Sequence, residues 1–335
     1  MSSPHRILIN GRHGLICPPG VPILTAAREA GFGFPHACRN GVCERCLGRL
    51  TAGAVNQRRG AAEDILIHAG EARADRVLYC VAFPISDCEI DVPEITAPGQ
   101  LPVHQLQCQI VQRETLNHDV TRVWLRLPAG KAVRWHAGQY LILELDHGSY
   151  PFSIANAPGG RELELHVRHA DDNSAAHAIM ADLDEQTTVA VTLPDGQRFI
   201  DGAPDRPLWF ICGSTGFAPV KAMIERLIQL DYPLPVRLFW GARTEEDLYL
   251  PDLPAQWGRR LRDFHAVTAL SDISKPGHAD GLVHEAALEA LAEPREPLFY
   301  LGGSPAMAWA VFDALVEEGV PAAHIHSDVF DYAPR

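Results

Sequence analysis

The chain has 335 residues, 47% of them hydrophobic, and a formal net charge of −13. That length predicts two or three domains, each able to bury a core. No run approaches the ~20 apolar residues of a membrane span, no basic stripe offers itself to nucleic acid, and no apolar core of signal-peptide length opens the chain. A soluble, cytoplasmic protein is therefore expected. The charge is uneven. Residues 1–97 carry ten Lys+Arg and ten Asp+Glu, and the remaining 19 basic and 32 acidic groups account for the whole net charge.

Residues 6–17 predict a hairpin, RILI and LIC around a turn at Asn10-Gly11 to Gly14. Pro22 to Gly31 predicts a short helix, with Pro near its first turn and Gly past its end. His36–Leu47, HACRNGVCERCL, then carries Cys38, Cys43 and Cys46 in a C-x4-C-x2-C run, and Cys80 follows after 33 intervening residues. Four thiolates at this spacing are the plant-type [2Fe–2S] pattern, in which a tight loop wraps one face and the fourth ligand arrives from elsewhere. Zinc is the competing occupant, but structural zinc sites present two short cysteine pairs, and Cys80 stands alone. Cys17, Cys88, Cys108 and Cys212 sit in apolar surroundings and are expected as reduced core residues. With CLGRLTAGAV and CEIDV as further strands, residues 1–97 fit a β-grasp ferredoxin domain.

Residues 93–102, PEITAPGQLP, form a Pro/Gly linker. Beyond it VTRVWLRL, QYLILEL, LELHVR and TTVAVTL alternate with period two, broken by one helix near Ser174 to Leu183. That is the pattern of a small antiparallel β-barrel over 103–203. A second boundary is expected near Asp201–Arg206. From there strands and helices alternate: PLWFIC, the turn Gly213-Ser-Thr-Gly216, helical APVKAMIERLIQL, VRLFW, an acidic helical stretch, FHAVTAL, HEAALEALA, LFYLGG and PAMAWAVFDALVEEG. A doubly wound parallel sheet over 204–335 follows. The fold class is thus multidomain, α+β followed by α/β. Gly213–Gly216 stands where a strand gives way to a helix, the place at which a pyrophosphate meets a helix N-terminus. A lone G-x-x-G fits a ligand-free turn equally well.

Its neighbours add weight: Tyr150-Pro-Phe-Ser-Ile-Ala-Asn-Ala-Pro158, Glu164-Leu-His-Val-Arg168, GFAPVK, Tyr300-Leu-Gly-Gly-Ser-Pro-Ala-Met307 and the C-terminal SDVF. Together with the cysteine run, they make the chain resemble the ferredoxin–NAD(P)H reductase superfamily with a fused N-terminal plant-type ferredoxin domain. Within it, the chain is most similar to sugar-nucleotide dehydrase reductases and the reductase components of bacterial oxygenases. The resemblance covers essentially the whole chain. It implies a [2Fe–2S] cluster on Cys38, Cys43, Cys46 and Cys80, a flavin (FAD, with FMN as alternative) and a nicotinamide dinucleotide. Phe152 would pack on the isoalloxazine and Ser153 would bond near flavin N5, within Tyr150-Pro151-Phe152-Ser153. The His166-Val167-Arg168 backbone would line the ring, with Arg168 near the phosphate. Gly213, Thr215 and Gly216 would take the dinucleotide's pyrophosphate, and Gly302, Gly303 and Met307 would border the nicotinamide. Phe330 would cover the outer flavin face, with Asp328 a polar group near the hydride path.

Four positions depart from the family's pattern. Tyr150 replaces the flavin-motif arginine, and Asp172-Asn173-Ser174 replaces a Gly-rich phosphate motif, leaving Ser174 and the helix start it caps. Gly302 replaces a cysteine, and Glu44 a small residue in the cluster loop, where charge shifts the potential. The first two weaken the expectation of tight flavin binding. Without the family, Phe152 reads as barrel core, Ser153 as a strand hydroxyl, and Asp328 and Phe330 as an ordinary last strand. Arg243 fits either a 2′-phosphate or bare surface; NADH is favoured, with NADPH as the alternative.

The expected activity is electron transfer from NADH through flavin and cluster to a terminal oxygenase or other acceptor protein. A sugar-nucleotide dehydrase partner, a diffusible-flavin reductase and a non-catalytic iron–sulfur sensor are the alternatives. The sixteen histidines form no evident metal cage.

Overall fold

Alternating apolar residues and a tight Asn10-Gly11 turn, both in the left-handed region (φ 51° and 66°), make the first strand pair: β1 (His5–Ile9) and β2 (His13–Cys17). The computed structural model describes residues 3–35, 39–42, 44, 46–58, 64–92, 95, 97, 101–131, 133–170, 173–292 and 296–335. Two units emerge, Met1–Pro102 and Val103–Arg335. In the first, α1 (Ile23–Glu29) follows Pro22, which sits at the N-cap rather than inside the helix. The predicted CLGRLTAGAV strand divides into β3 (Leu47–Ala52) and β4 (Ala54–Gln57). Gly53, at φ 86°, breaks it because a Cβ there would lie 2.1 Å from the Asp87 carbonyl.

Then come β5 (Ile65–His68), β6 (Val77–Leu78), β7 (Ala82–Pro84) and β8 (Cys88–Asp91). Among the described residues one sheet runs β2-β1-β8-β3-β6 and a smaller one β5-β4-β7. The parallel β1–β8 pair amid antiparallel neighbours, with α1 packed on the sheet, is the β-grasp arrangement.

The second unit opens with a curled antiparallel sheet: β9 (His104–Thr115), β10 (Val120–Arg126), β11 (Tyr140–Leu145), β12 (Gly148–Ser153), β13 (Glu162–Arg168) and β14 (Thr188–Asp195). Their order is β12-β11-β14-β9-β10-β13, and the Ala155 amide donates to the Glu164 carbonyl at 2.7 Å, drawing the two edges together. The single helix α2 (Ser174–Glu185) plugs the core with Ile179 and Leu183. Its cap is Asn173, whose side chain accepts from the Ala176 amide at 3.1 Å; Ser174 is the first helical residue, not the cap.

Next come β15 (Leu208–Gly213), α3 (Phe217–Gln229), β16 (Val236–Ala242), α4 (Leu253–Gly258), β17 (Phe264–Leu270), β18 (Ala279–Asp280), α5 (Val283–Ala290), β19 (Leu298–Gly302), α6 (Pro305–Glu317), β20 (Ile325–His326) and α7 (Val329–Tyr332). The sheet is parallel, in the order β18-β17-β16-β15-β19-β20. Leu208, Phe210 and Cys212 pack under α3 and α4; Trp209 and Ile211 pack under α5 and α6. Helices on both faces make it doubly wound. Chain order reverses between β15 and β19, the switch point at which such sheets bind ligands. The acidic run 245–247, expected as a helix, is a 3₁₀ turn closed by a Thr244–Asp247 capping box. The expected last strand is instead the helical turn α7.

Candidate functional site

In the first unit the backbone gathers the two described cysteines. Leu47 pairs with Leu78 and the Tyr79 amide donates to the Cys46 carbonyl at 3.2 Å, bringing Cys46 beside the segment that carries Cys80. Both are buried. Cys38 and Cys43 lie outside the described residues. The intervening loop turns through left-handed positions at Arg39, Gly41 and Glu44 (φ 58°, 81° and 57°). Such turns aim successive amides into a concavity that suits anionic sulfur. Glu44, the departure that put the potential in doubt, is paired with Arg76 at 2.8 Å, so its charge is balanced locally. The four-cysteine donor set and converging backbone fit a [2Fe–2S] cluster.

In the second unit, a cleft of about 320 Å³ opens at the C-terminal ends of β15, β16 and β17. Gly213 forms its floor and Met307 one wall, with Arg168, Arg243 and Ser271 around it. Gly216 and Gly302 meet backbone to backbone. A Cβ on either would come within 2.2 Å of the other residue's main chain, and one on Gly213 or Gly303 would lie 2.7 Å from the Met307 sulfur. These glycines form a cradle that only bare backbone can make, and it fits a dinucleotide approaching the start of α3. Thr215 lies within the turn that links β15 to α3. The packing also explains the missing cysteine at 302. Gly302→Cys is expected to push the turn aside at a cost of about 1–3 kcal/mol, raising the KM for NADH about tenfold while leaving the visible spectrum of the cluster unchanged.

The register pairs Ser153 with Tyr140 across β12 and β11. Asp328 stands near the same tyrosine, and its Oδ1 is buried without a hydrogen-bond partner. Burial, and after it the Asp331 carboxylate, pushes the Asp328 carboxyl up to about 7. Phe152 and Tyr150 are half-buried against the barrel core, and Pro151 is exposed. The Tyr150 hydroxyl donates back to the His147 carbonyl at 3.3 Å. Phe330 packs on Trp309 and Phe312 of α6, with ring centroids 4.5 and 5.3 Å away. β12 and β13 are the edge strands of the sheet, and the outer side of β13 is partly taken up, the Glu164 amide donating to Asn156 Oδ1 at 2.9 Å and the Glu162 carbonyl accepting from Asn156 Nδ2 at 2.9 Å. The outer edge of β12 and the orphan Asp328 oxygen fit a polar, planar ring such as a flavin.

The side chains of Arg168 and His166 both have partners within the second unit. The Arg168 guanidinium donates to Asp119 at 2.6 Å and lines the same cleft as Gly213 and Met307. His166, between Val167 and Leu165 in β13, turns its side chain into a buried network. Its Nε2 meets Glu164 at 2.9 Å and its Nδ1 meets the Tyr249 hydroxyl at 2.9 Å. The carboxylate can only accept, so Nε2 carries the proton and Nδ1 accepts from Tyr249. Burial holds the His166 pKa below its ordinary value. Burial alone would raise Glu164, but bonds from His166 and Lys221 outweigh it and keep the carboxyl below the usual range. Glu164, Lys221, Tyr249 and Asp119 were not singled out in the sequence. Lys221 had a signal, a lone cation within the apolar run GFAPVKAMI.

Cluster loop, barrel and glycine cradle together fit an iron–sulfur flavoprotein oxidoreductase. Residues 7–84 match the 2Fe-2S iron-sulfur cluster binding domain and residues 210–313 the oxidoreductase NAD-binding domain. The chain is 32% identical to terephthalate 1,2-dioxygenase reductase component 2 from a Comamonas species, over 95% of this chain and 94% of that protein. It is 30% identical to a CDP-6-deoxy-L-threo-D-glycero-4-hexulose-3-dehydrase reductase from Yersinia pestis, over 92% of each. The cytochrome P450 reductase GcoB from Amycolatopsis superposes with a TM-score of 0.65 at 26% identity, covering 96% of this chain and 98% of that one. The chain belongs to the ferredoxin reductase superfamily, in the group that carries a fused [2Fe–2S] domain. It is an NAD(P)H-dependent electron-transfer reductase. No helix among the described residues is long and apolar enough to cross a membrane.

When bound, the cofactors supply the hydride and single-electron chemistry, and the polypeptide binds and orients them. The glycine cradle would admit the dinucleotide against backbone. Asp328 can hold a proton near neutral pH beside Tyr140.

Proposed function

We propose that the chain is the reductase component of a multicomponent oxygenase, using NADH and delivering electrons to the terminal oxygenase. The working modules on this reading are 1–97 for the cluster, 103–203 for FAD and 204–335 for the nicotinamide. Ser153, Asp328 and Phe330 act at the flavin, Cys38, Cys43, Cys46 and Cys80 hold the cluster, and the work belongs in the cytoplasm. The observation that carries the reading is the meeting of Gly213, Gly216, Gly302 and Gly303 around Met307 at the switch point. The dioxygenase reductase among the relatives supports the acceptor class.

Coenzyme choice rests on one pair. Arg243, at the end of β16, is where a Rossmann-type sheet would meet a 2′-phosphate, and its Nε is tied to Asp272 at 2.9 Å. The carboxylate satisfies the guanidinium and repels a phosphate, which favours NADH. Asp272→Ala is expected to raise the NADPH-to-NADH ratio of kcat/KM about tenfold by freeing a charge-assisted phosphate contact.

The test is anaerobic NADH titration of the purified protein, followed by mixing with candidate acceptors. Flavin and cluster bands that both bleach, with electrons passing on to an oxygenase, support the proposal. Transfer to a sugar-nucleotide dehydrase instead favours the second reading, which the hexulose-dehydrase relative supports. Cluster absorbance that bleaches only after FAD or FMN is added favours the diffusible-flavin reading. Tyr150 supports that one, since its hydroxyl is turned onto the His147 carbonyl and no cation stands in the motif position.

A further inference from the structure

Helix α3 meets the barrel through one polar stripe. Lys221, Glu225 and Gln229 stand four residues apart on one helix face, and all three grip the chain that follows Ser153. Lys221 Nζ donates to the Ala155 carbonyl at 3.1 Å, Glu225 Oε2 accepts from the Ala157 amide at 3.2 Å, and Gln229 Nε2 donates to the Pro158 carbonyl at 3.1 Å. Lys221 also donates to Glu164 of β13 at 2.7 Å and pairs with Glu225 at 2.8 Å. Its ammonium, only 5% exposed, thus meets three oxygens and is saturated. Glu164 passes the linkage to His166 and on to Tyr249, beyond β16.

The buried part of this network, Lys221 with Glu164 and His166, adds little net stability over an apolar contact. Its use lies in fixing one arrangement against others. What it fixes here is specific. α3 begins at the Gly213–Gly216 turn, and Lys221 sits in its second turn. The other end of each bond is the segment that starts at Ser153, or the edge strand β13. We propose that the Lys221–Glu225–Gln229 stripe, with Glu164, is a positioning clamp that sets the distance between the nicotinamide cradle and the flavin-side strands for hydride transfer. The proposal rests on Ser153 and the glycine turn lying at the two cofactors. Hydride transfer needs reacting atoms about 3–3.5 Å apart, and a misplacement of about 1 Å costs on the order of 100-fold. A clamp rather than a loose interface is what such a tolerance calls for.

The decisive variant is Lys221→Met combined with Glu164→Met, which removes both members of the buried ion pair together. Single-turnover bleaching of the flavin by NADH should slow at least tenfold, with flavin content and the affinity for NAD⁺ within twofold of the parent. Lys221→Arg should recover part of the loss. Amide hydrogen exchange on cofactor-free protein gives a readout that does not depend on the cofactor assignment. In the double variant, exchange should rise together at residues 153–158 and 213–217. A rise confined to 155–158, or a coupled rise with an unchanged transfer rate, overturns the clamp. If transfer slows while exchange at 213–217 stays as in the parent, the clamp is likewise overturned and the fault lies in the cofactor pocket. Should the double variant fail to fold, Glu225→Ala carries the same test at the half-exposed end of the stripe. It should slow transfer about threefold and loosen both segments, and parent-like values of both overturn the proposal.

Discussion

Replacing Cys80 with serine is expected to strip the cluster absorbance and cut NADH-driven reduction of cytochrome c, a one-electron protein acceptor, at least 100-fold. Reduction of a small dye that draws electrons at the flavin should stay within about twofold. The asymmetry follows from where the residue sits. Cys80 is buried beside Cys46, inside the core of the first unit, and the cradle, the barrel and Asp328 all belong to residues 103–335. A cluster held by thiolates loses its fourth ligand when sulfur becomes a hydroxyl, a far poorer donor for iron. Loss of dye reduction in step with cytochrome c reduction would show that the substitution damages more than the cluster, and this account of separable halves would fail.

Asp328→Asn should have the next largest effect, and its signature is in pH. The Asp328 carboxyl is raised to about 7, first by burial and then by the nearby Asp331. The parent should therefore transfer hydride fastest below pH 7 and lose rate above it, as the proton held beside Tyr140 is given up. The amide variant should lack that inflection and be at least tenfold slower at pH 6. Stability gives an independent check with a definite sign. A carboxyl whose folded pKa lies above its unfolded one stabilises most below about pH 4, and that contribution is lost as pH rises to about 7. The amide cannot ionise, so the variant should be more stable than the parent at pH 8, by up to about 4 kcal/mol at one pKa unit per 1.4 kcal/mol. The gap should close toward pH 4. Urea unfolding at the two pH values measures it, and a gap that is equal at both would count against a raised carboxyl.

Sequence alone revealed those parts whose chemistry is local. The C-x4-C-x2-C run carries its own spacing, and PLWFIC followed by GSTG announces a strand, a turn and a helix start within eleven residues. Period-two alternation likewise exposed the barrel strands. What stayed hidden depends on partners far apart in the chain. Arg168 was placed near flavin phosphate by the resemblance, while its bond to Asp119, 49 residues earlier, at the cleft lined by Gly213 and Met307 could not be read from the sequence. Lys221 looked like one more helix residue until Ala155, 66 residues away, and Glu164, 57 away, supplied its acceptors. Gly302 was noted only as a departure from the family's cysteine, and its close contact with Gly216 is something no spacing rule reveals. The capping role given to Ser174 belonged one residue earlier, to Asn173, the ordinary uncertainty of a helix boundary.

The chain's other cysteines have a bearing on how the protein is made. Cys17, Cys88, Cys108 and Cys212 are all buried, and burial holds each thiol above its ordinary pKa, Cys17 and Cys108 up to about 11. Iron and sulfide bind the thiolate, not the thiol. During maturation these four are therefore chemically silent once their surroundings have folded. Eight cysteine thiols in the sequence present far more ligand combinations than one cluster uses. In the folded chain, packing holds these four as thiols and so removes half of the cysteines from the competition for iron.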